Sequence, residues 1–266
     1  MNILYLGDIM GQPGRAVVTA RLPVLRKKYA LDFVVAQGEN VSHGKGLSPT
    51  HLRELQQAGV DFFSGGNHTL ERPSLKPFLA NPAEPVVAPA NQIGCEPGWG
   101  AKRFTTKKGD VLVASLLGDV FPTAVLANNP LHSIDQILAS PLAQNTAAIV
   151  VNFHGDLSSQ KRVIGYYLDG RTSMVVGDHW HVPTADASIL PGGTAHVSDV
   201  GMCGTLLSSL GVSKEIVIAR WRDGAKLKND IATGGPYQLN GLVVEVGTDG
   251  KATKVTQVNE VLEKLE

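Results

Sequence analysis

The segment GDHWHV, residues 177–182, places two imidazoles, His179 and His181, on either side of a single residue. In an extended chain such residues point to the same side. The pair can therefore serve one metal ion or two neighbouring ones. Gly177, just ahead of them, permits a close backbone approach. Two histidines so spaced also occur as ordinary packing or surface residues. What gives this pair chemical weight is the placement of Asp8, Glu39, Asn40, Asn67, His68 and His154, each at the end of an apolar run. Gathered at one edge, these groups would form a metal-binding set.

The runs that must position them read as strands. NILYLG, residues 2–7, delivers Asp8, and a helix opened by Pro13 follows through Tyr29, with Pro23 a candidate kink. FVVAQG is the next strand and ends at Glu39-Asn40. Strand–helix–strand spacing predicts a parallel pair with a right-handed crossover, which puts Asp8 and Glu39-Asn40 at the same sheet edge. VDFFS, residues 60–64, is a third strand and delivers Asn67-His68 after a polar loop, SHGKGLSPTHL, whose His43 is placed outside the site. AAIVVNFHGD ends at His154 and Asp156, and an amphipathic helix from LSSQKRVIGYYLDG follows. TSMVVGDHWHV repeats that layout. Open α/β sheets place their sites where such loops converge.

Elsewhere the reading is architectural. Residues 77–100, rich in Pro, Asn and Gly, form a long but packable connection; KRFTTKKGDVLVASLLG is two strands about a KKGD turn. FPTAVLANNPLHSIDQILAS supplies a connection and a helix, and EIVIARW, LNGLVVEV and KATKVTQV read as β elements with a TDG hairpin turn. His196 and Asp199, in a turn-rich patch, are expected to shape the rim of a cleft rather than to take part in the chemistry.

Composition bounds the function. The 266 residues are 43% apolar and 18% charged with no formal net charge, which predicts one globular α/β domain over residues 1–266 and offers no long nucleic-acid footprint. Cys95 and Cys203 form no CxxC pattern and are expected as free thiols. MNILYLGDIMG has no basic n-region and reads as a first strand rather than a signal peptide. No apolar run approaches the roughly 20 residues needed to span a bilayer. The expectation is a cytoplasmic protein with no membrane partner.

The islands GDIMGQPGR, GENVSHGKG, GGNHTLER, NFHGDLSSQK, GDHWHVPTAD and ILPGGTAHVSDVGM span most of the chain. In that order they resemble the bacterial branch of the calcineurin-like metallophosphoesterases associated with cyclic-nucleotide phosphodiesterase activity. The superfamily usually opens its metal signature with Asp-x-His, where this chain has Asp8-Ile9-Met10. The resemblance implies a four-layer αββα sandwich with two mostly mixed β-sheets. It also implies two metal ions, iron or manganese, with zinc compatible with the same donors. Carried over residue by residue, Asp8, Glu39, Asn40 and His181 would surround one ion, and Glu39, Asn67, His154 and His179 the other, so that Glu39 bridges them. His68 would stand beside the phosphoryl group as the catalytic residue. The implied activity is hydrolysis of small phosphodiesters, with 2′,3′- or 3′,5′-cyclic nucleotides foremost. A phosphomonoesterase and a metal-stabilised nucleotide sensor are the alternatives, and a homo-oligomer is compatible with all three. Two departures bear on substrate preference. GDLSSQK follows His154 where close relatives carry a form such as AEATSEK, and Trp180 replaces the small residue often found between the paired histidines.

Overall fold

The alternation of the first strand sets the layers. In β1 (Asn2–Leu6) Leu4 and Leu6 face one way and Ile3 and Tyr5 the other, and all four are fully buried. Leu4 and Leu6 pack with Val17, Leu22 and Leu25 of helix α1 (Gly11–Lys28), whereas Ile3 and Tyr5 pack with Val111, Val113, Val150 and Val176 of a second sheet. A third core joins the far side of that sheet, through Leu112, Val151 and Phe153, to Ile134 and Ile164 of two further helices. Fully burying each such side chain contributes roughly 1.5–3 kcal/mol. Three cores between four layers make the αββα sandwich. The computed structural model describes residues 1–121 and 125–265, so Pro122, Thr123 and Ala124, within the connection expected from FPTAVLANN, lie outside the described residues.

In chain order the remaining elements are β2 (Asp8–Ile9), β3 (Phe33–Gln37), α2 (Pro49–Gln57), β4 (Phe62–Ser64), α3 (Lys76–Ala80), β5 (Ala101–Thr106), β6 (Gly109–Leu117), α4 (Pro130–Ala139), β7 (Ala148–His154), α5 (Ser158–Tyr167), β8 (Met174–Asp178), β9 (Ser188–Ile189), β10 (Ala195–Val197), β11 (Met202–Thr205), α6 (Lys214–Asp223), β12 (Tyr237–Val246) and β13 (Ala252–Leu262). One sheet runs β2-β11-β12-β1-β3-β4, with β13 also on β12; the other runs β5-β6-β7-β8-β10-β9. Both are mixed. Strands β1, β3 and β4 are parallel, as are β6, β7, β8 and β10, while β12 is antiparallel to β1 and β5 to β6. Parallel register brings Gln37 opposite Ser64 in one sheet, and Leu117, His154 and Asp178 level with each other in the other. The two carboxyl edges meet, and the site lies there.

Two local expectations change. EIVIARW is helical, within α6: the Ser213 side chain accepts from the Ile216 N–H, Glu215 sits in the first turn and Arg220 and Arg222 in the last. Capping and end charges that suit the helix dipole outweigh the β-branched residues inside. Helix α1 continues through Pro23, whose position and that of Thr19, one turn earlier, both face solvent, so water can satisfy the released carbonyl. None of the described helices is long and apolar enough to cross a membrane.

Candidate metal centre

All seven expected donors come together in one chain of contacts. Asn40 Nδ2 lies 3.2 Å from Asp8 Oδ1, 3.1 Å from Glu39 Oε1 and 3.3 Å from His181 Nε2. His181 Nε2 is 3.6 Å from Asp8 Oδ1. The same oxygen, Glu39 Oε1, is also 3.3 Å from His154 Nε2, which lies 2.8 Å from Asn67 Oδ1. The His154 and His179 rings are 4.4 Å apart, and Glu39, His154 and His179 offer donor atoms within 4.8 Å of one another. Glu39 thus stands between two clusters. Asn40 turns its amide nitrogen to the acids here; presenting Oδ1 to an ion requires the opposite orientation of that amide.

Fixed partners set the tautomers. His154 Nδ1–H donates to Asp178 Oδ1 at 2.7 Å, leaving Nε2 for Asn67 and Glu39. His181 Nδ1–H donates to the Leu210 carbonyl at 3.0 Å, leaving its Nε2 toward Asp8. Asp178 Oδ2 in turn accepts from Tyr5 Oη at 2.9 Å, Gln37 Nε2 at 2.9 Å and Asn152 Nδ2 at 2.6 Å. Sequence reading missed this support entirely. The one available signal was an acid at the end of an apolar strand, directly before the paired histidines. Such outer partners orient metal-binding imidazoles and raise their basicity.

The electrostatics are those of a site short of positive charge. Burial opposes charge on His154, yet Glu39 and Asp178 outweigh it and hold the imidazolium well above the ordinary histidine range. Burial likewise opposes charge on Glu39, but His154 and His68 keep it below the usual carboxylate range. Burial, reinforced by Asp178, pushes Asp8 well up. Burial and then His154 push His179 down to about 4, and burial also lowers His181. With Nδ1 committed, the Nε2 lone pair of neutral His154 would face two oxygen acceptors. A proton or a cation relieves that contact. The donor set therefore suits a metal ion that displaces the proton.

The paired histidines are not on an extended strand. β8 ends at Asp178, and His179 and His181 take φ of +102° and +62°. Non-glycine residues in such regions cost about 1–3 kcal/mol each and persist only where tertiary contacts hold them. Trp180 between them is half-buried, and its Nε1–H donates to the Asp156 carbonyl at 3.0 Å. Gly177 meets its expected purpose, since a Cβ there would overlap the Ser198 carbonyl. Gly66 has the same logic at the centre: a Cβ would overlap Glu39 Oε2 and fall 2.7 Å from His154 Cε1.

His68 stands at the rim, its backbone N–H on Glu39 Oε2 at 3.0 Å and its Nδ1 2.8 Å from Glu71 Oε1. Asp156 does not cap α5; its Oδ2 accepts from the Phe121 N–H at 2.6 Å and its Oδ1 lies 3.3 Å from His179 Nε2. Asp199 and His196, expected at a cleft rim, are both buried inside the second sheet's outer layer, where His196 Nδ1–H donates to the Val175 carbonyl at 3.0 Å. At the carboxyl ends of β6 and β7, beside the outer core that Phe153 and Ile164 share, lies a pocket of about 390 Å³. Phe153, Leu131 and Ile164 form its apolar wall, and Asp119, Asn128 and Gln160 give polar lining.

A four-layer sandwich carrying carboxylate, carboxamide and imidazole groups at its joined sheet edges is that of the calcineurin-like metallophosphoesterases, and the chain is a metal-dependent hydrolase of that superfamily. Within it, the chain belongs to the family described as YmdB-like protein, which it matches over residues 4–258. It is 35% identical over 262 residues to the 2′,3′-cyclic-nucleotide 2′-phosphodiesterase of Bacillus subtilis, covering 98% of this chain and 97% of that one. Among solved structures it is similar to a hypothetical protein from Thermus thermophilus, with a TM-score of 0.88, 34% identity and coverage of 98% of this chain and 100% of the other. It is also similar to a novel phosphatase from Mycoplasma pneumoniae, with a TM-score of 0.89, 31% identity and coverage of 98% and 93%.

Proposed function

We propose that this protein is a dinuclear metal-dependent phosphodiesterase acting on small phosphodiesters, with 2′,3′- or 3′,5′-cyclic nucleotides as substrates. The observation that carries the reading is the position of Glu39, whose carboxylate stands between the Asp8–Asn40–His181 cluster and the Asn67–His154–His179 cluster. Each cluster combines oxygen and imidazole donors, a set that suits iron or manganese and accommodates zinc. When bound, two such ions supply Lewis-acid stabilisation of the phosphoryl oxygens and activate the attacking water.

The chain's own groups do the rest. Glu71 holds His68 Nδ1, which leaves Nε2 as the ring atom free to protonate the departing ester oxygen or to stabilise charge developing there. Asp178 keeps His154 Nδ1 protonated and its Nε2 aimed inward. The two sheets share the site, so residues 1–266 act as a single catalytic domain; the free thiols of half-buried Cys95 and buried Cys203 suit a reducing, cytoplasmic setting.

The test begins with metal analysis of the purified protein. Rates follow on 2′,3′-cyclic AMP, 3′,5′-cyclic AMP and the monoester 5′-AMP, before and after chelation and Mn²⁺ restoration. Ring opening that requires metal, and exceeds monoester hydrolysis, is expected. Faster release of phosphate from 5′-AMP would make the protein a phosphomonoesterase, and metal-independent binding without product would make it a sensor.

A further inference from the structure

We propose that Lys161 is a positioning residue: together with Asp199 it clamps Trp180 and so sets the two histidines on either side of it. Lys161 lies on α5 and is fully buried. Its Nζ donates to the Asp178 carbonyl at 2.6 Å and to Asp199 Oδ2 at 2.7 Å, and it sits 4.0 Å from the centroid of the Trp180 ring. An ammonium has three N–H donors and no acceptor. Two are taken by oxygen and the charge rests against a π face, the favourable side of an aromatic ring for a cation.

Asp199 is the other jaw. Its Oδ2 also accepts the Trp180 N–H at 2.8 Å, and its Oδ1 accepts the Gly201 N–H at 2.9 Å. Trp180 Nε1–H is held by the Asp156 carbonyl at 3.0 Å, so the residue is gripped by backbone, ring face and ring edge. The grip explains a conformation that the local sequence does not. His179 and His181 hold φ of +102° and +62° without glycine, and the residue between them is the one anchored on every side. Through the Asp178 carbonyl the same ammonium also fixes the strand end whose side chain orients His154. Lys161 itself cannot be a ligand, since its charge repels an ion and its donors are all directed elsewhere. A buried ion pair is seldom a gain in stability over apolar packing, and specifying one geometry is a use to which such pairs are put.

This inference rests on the metal-binding role of His179 and His181, and the experiment separates the two. Lys161→Met removes one jaw but leaves Asp199 buried and unpaired, so it is run beside Trp180→Ala, which keeps the ion pair and alters a half-buried loop residue. Metal-free wild type and variants are compared by circular dichroism and melting, by calorimetric Mn²⁺ titration, by the electron paramagnetic resonance of the Mn²⁺-loaded proteins, and by kcat and KM separately. Trp180→Ala should keep its fold yet lose roughly 10–100-fold in Mn²⁺ affinity, the scale seen when groups that orient ligands are removed. The spin-coupled signal of the ion pair should broaden, and kcat should fall more than KM rises. Lys161→Met should show the same signature wherever it folds. Wild-type affinity, stoichiometry and spectrum in folded Trp180→Ala would overturn the clamp while leaving the metal site standing. Wild-type protein that binds no Mn²⁺ would overturn the site and the clamp together.

Discussion

Asp178→Asn changes one oxygen to an NH₂ group at the hub of the buried support. In the wild type, Oδ1 receives His154 Nδ1–H, and Oδ2 receives donors from Tyr5, Gln37 and Asn152. An asparagine whose amide nitrogen replaced Oδ2 would confront the amide donors of Gln37 and Asn152, each left unsatisfied at about 1–3 kcal/mol, while Tyr5 can turn its hydroxyl hydrogen to Ser64. Placing the nitrogen at Oδ1 confronts only His154, which can answer by giving up the Nδ1 proton of its imidazolium and keeping the one on Nε2. The second arrangement wins by several kcal/mol. It leaves His154 and the donors around residue 178 with partners, because Nε2–H then donates to Asn67 or Glu39. Stability of the metal-free variant should therefore stay within about 1 kcal/mol of wild type, because the negative charge of Asp178 and the positive charge of His154 are lost together and losing both members of a buried pair is nearly neutral. Metal binding cannot adapt in the same way, because an Nε2 that carries a proton has no lone pair to give. Affinity should drop roughly 10–100-fold, or about 1.4–2.8 kcal/mol. Urea melts of the metal-free proteins and calorimetric titration with Mn²⁺ read the two quantities separately. Unchanged Mn²⁺ affinity would refute the tautomer argument. A loss of more than about 3 kcal/mol without metal would show that Asp178 serves the fold rather than the site.

Three further outcomes are expected. His68→Ala should retain both ions but lose roughly two to four decades of turnover, more on an alkoxide leaving group than on a nitrophenolate; equal losses on both would exclude proton donation, and near-wild-type rates would exclude any role in the chemistry. Gly66→Ala should fold, since its backbone needs no left-handed conformation, yet metal analysis should find it depleted because the added methyl overlaps Glu39 and crowds His154. For the metal-free protein, His154 and Asp8 both have folded-state pKa values raised above their unfolded ones, so the folded state holds extra protons. The His154 contribution is fully present below its unfolded value of about 6.5 and is lost as pH rises through the folded value; that of Asp8 erodes in the same direction from about pH 3.9. Melting temperature without metal should fall from about pH 6.5 upward, whereas the Mn²⁺-loaded protein should hold steady and release protons on binding; a metal-free melting point that climbs over this interval would contradict the assignment.

Asp8, Glu39, Asn67 and His154 are legible in the chain as written, because apolar runs of strand length mark where parallel strands end, and parallel strands with right-handed crossovers end at one edge. The layer order is legible for the same reason, the alternation of Ile3 and Tyr5 against Leu4 and Leu6 being a local property of the chain. EIVIARW misleads because its apolar, β-branched residues outnumber its capping signals, although those signals, Ser213 and the end charges, are also local. The backbone of His179 and His181 is another matter. Nothing within GDHWHV specifies φ above zero at both histidines; contacts from Lys161, Asp156 and Asp199, outside that segment, hold the turn. Lys161 reads as one more solvated lysine on an amphipathic helix, and Tyr5, Gln37 and Asn152 as ordinary strand residues, until two sheets pack face to face. Period and capping act between neighbours along the chain. The register of one sheet against the other comes from interdigitated side chains distant in sequence, and that register brings Tyr5, Gln37 and Asn152 to a single carboxylate of Asp178.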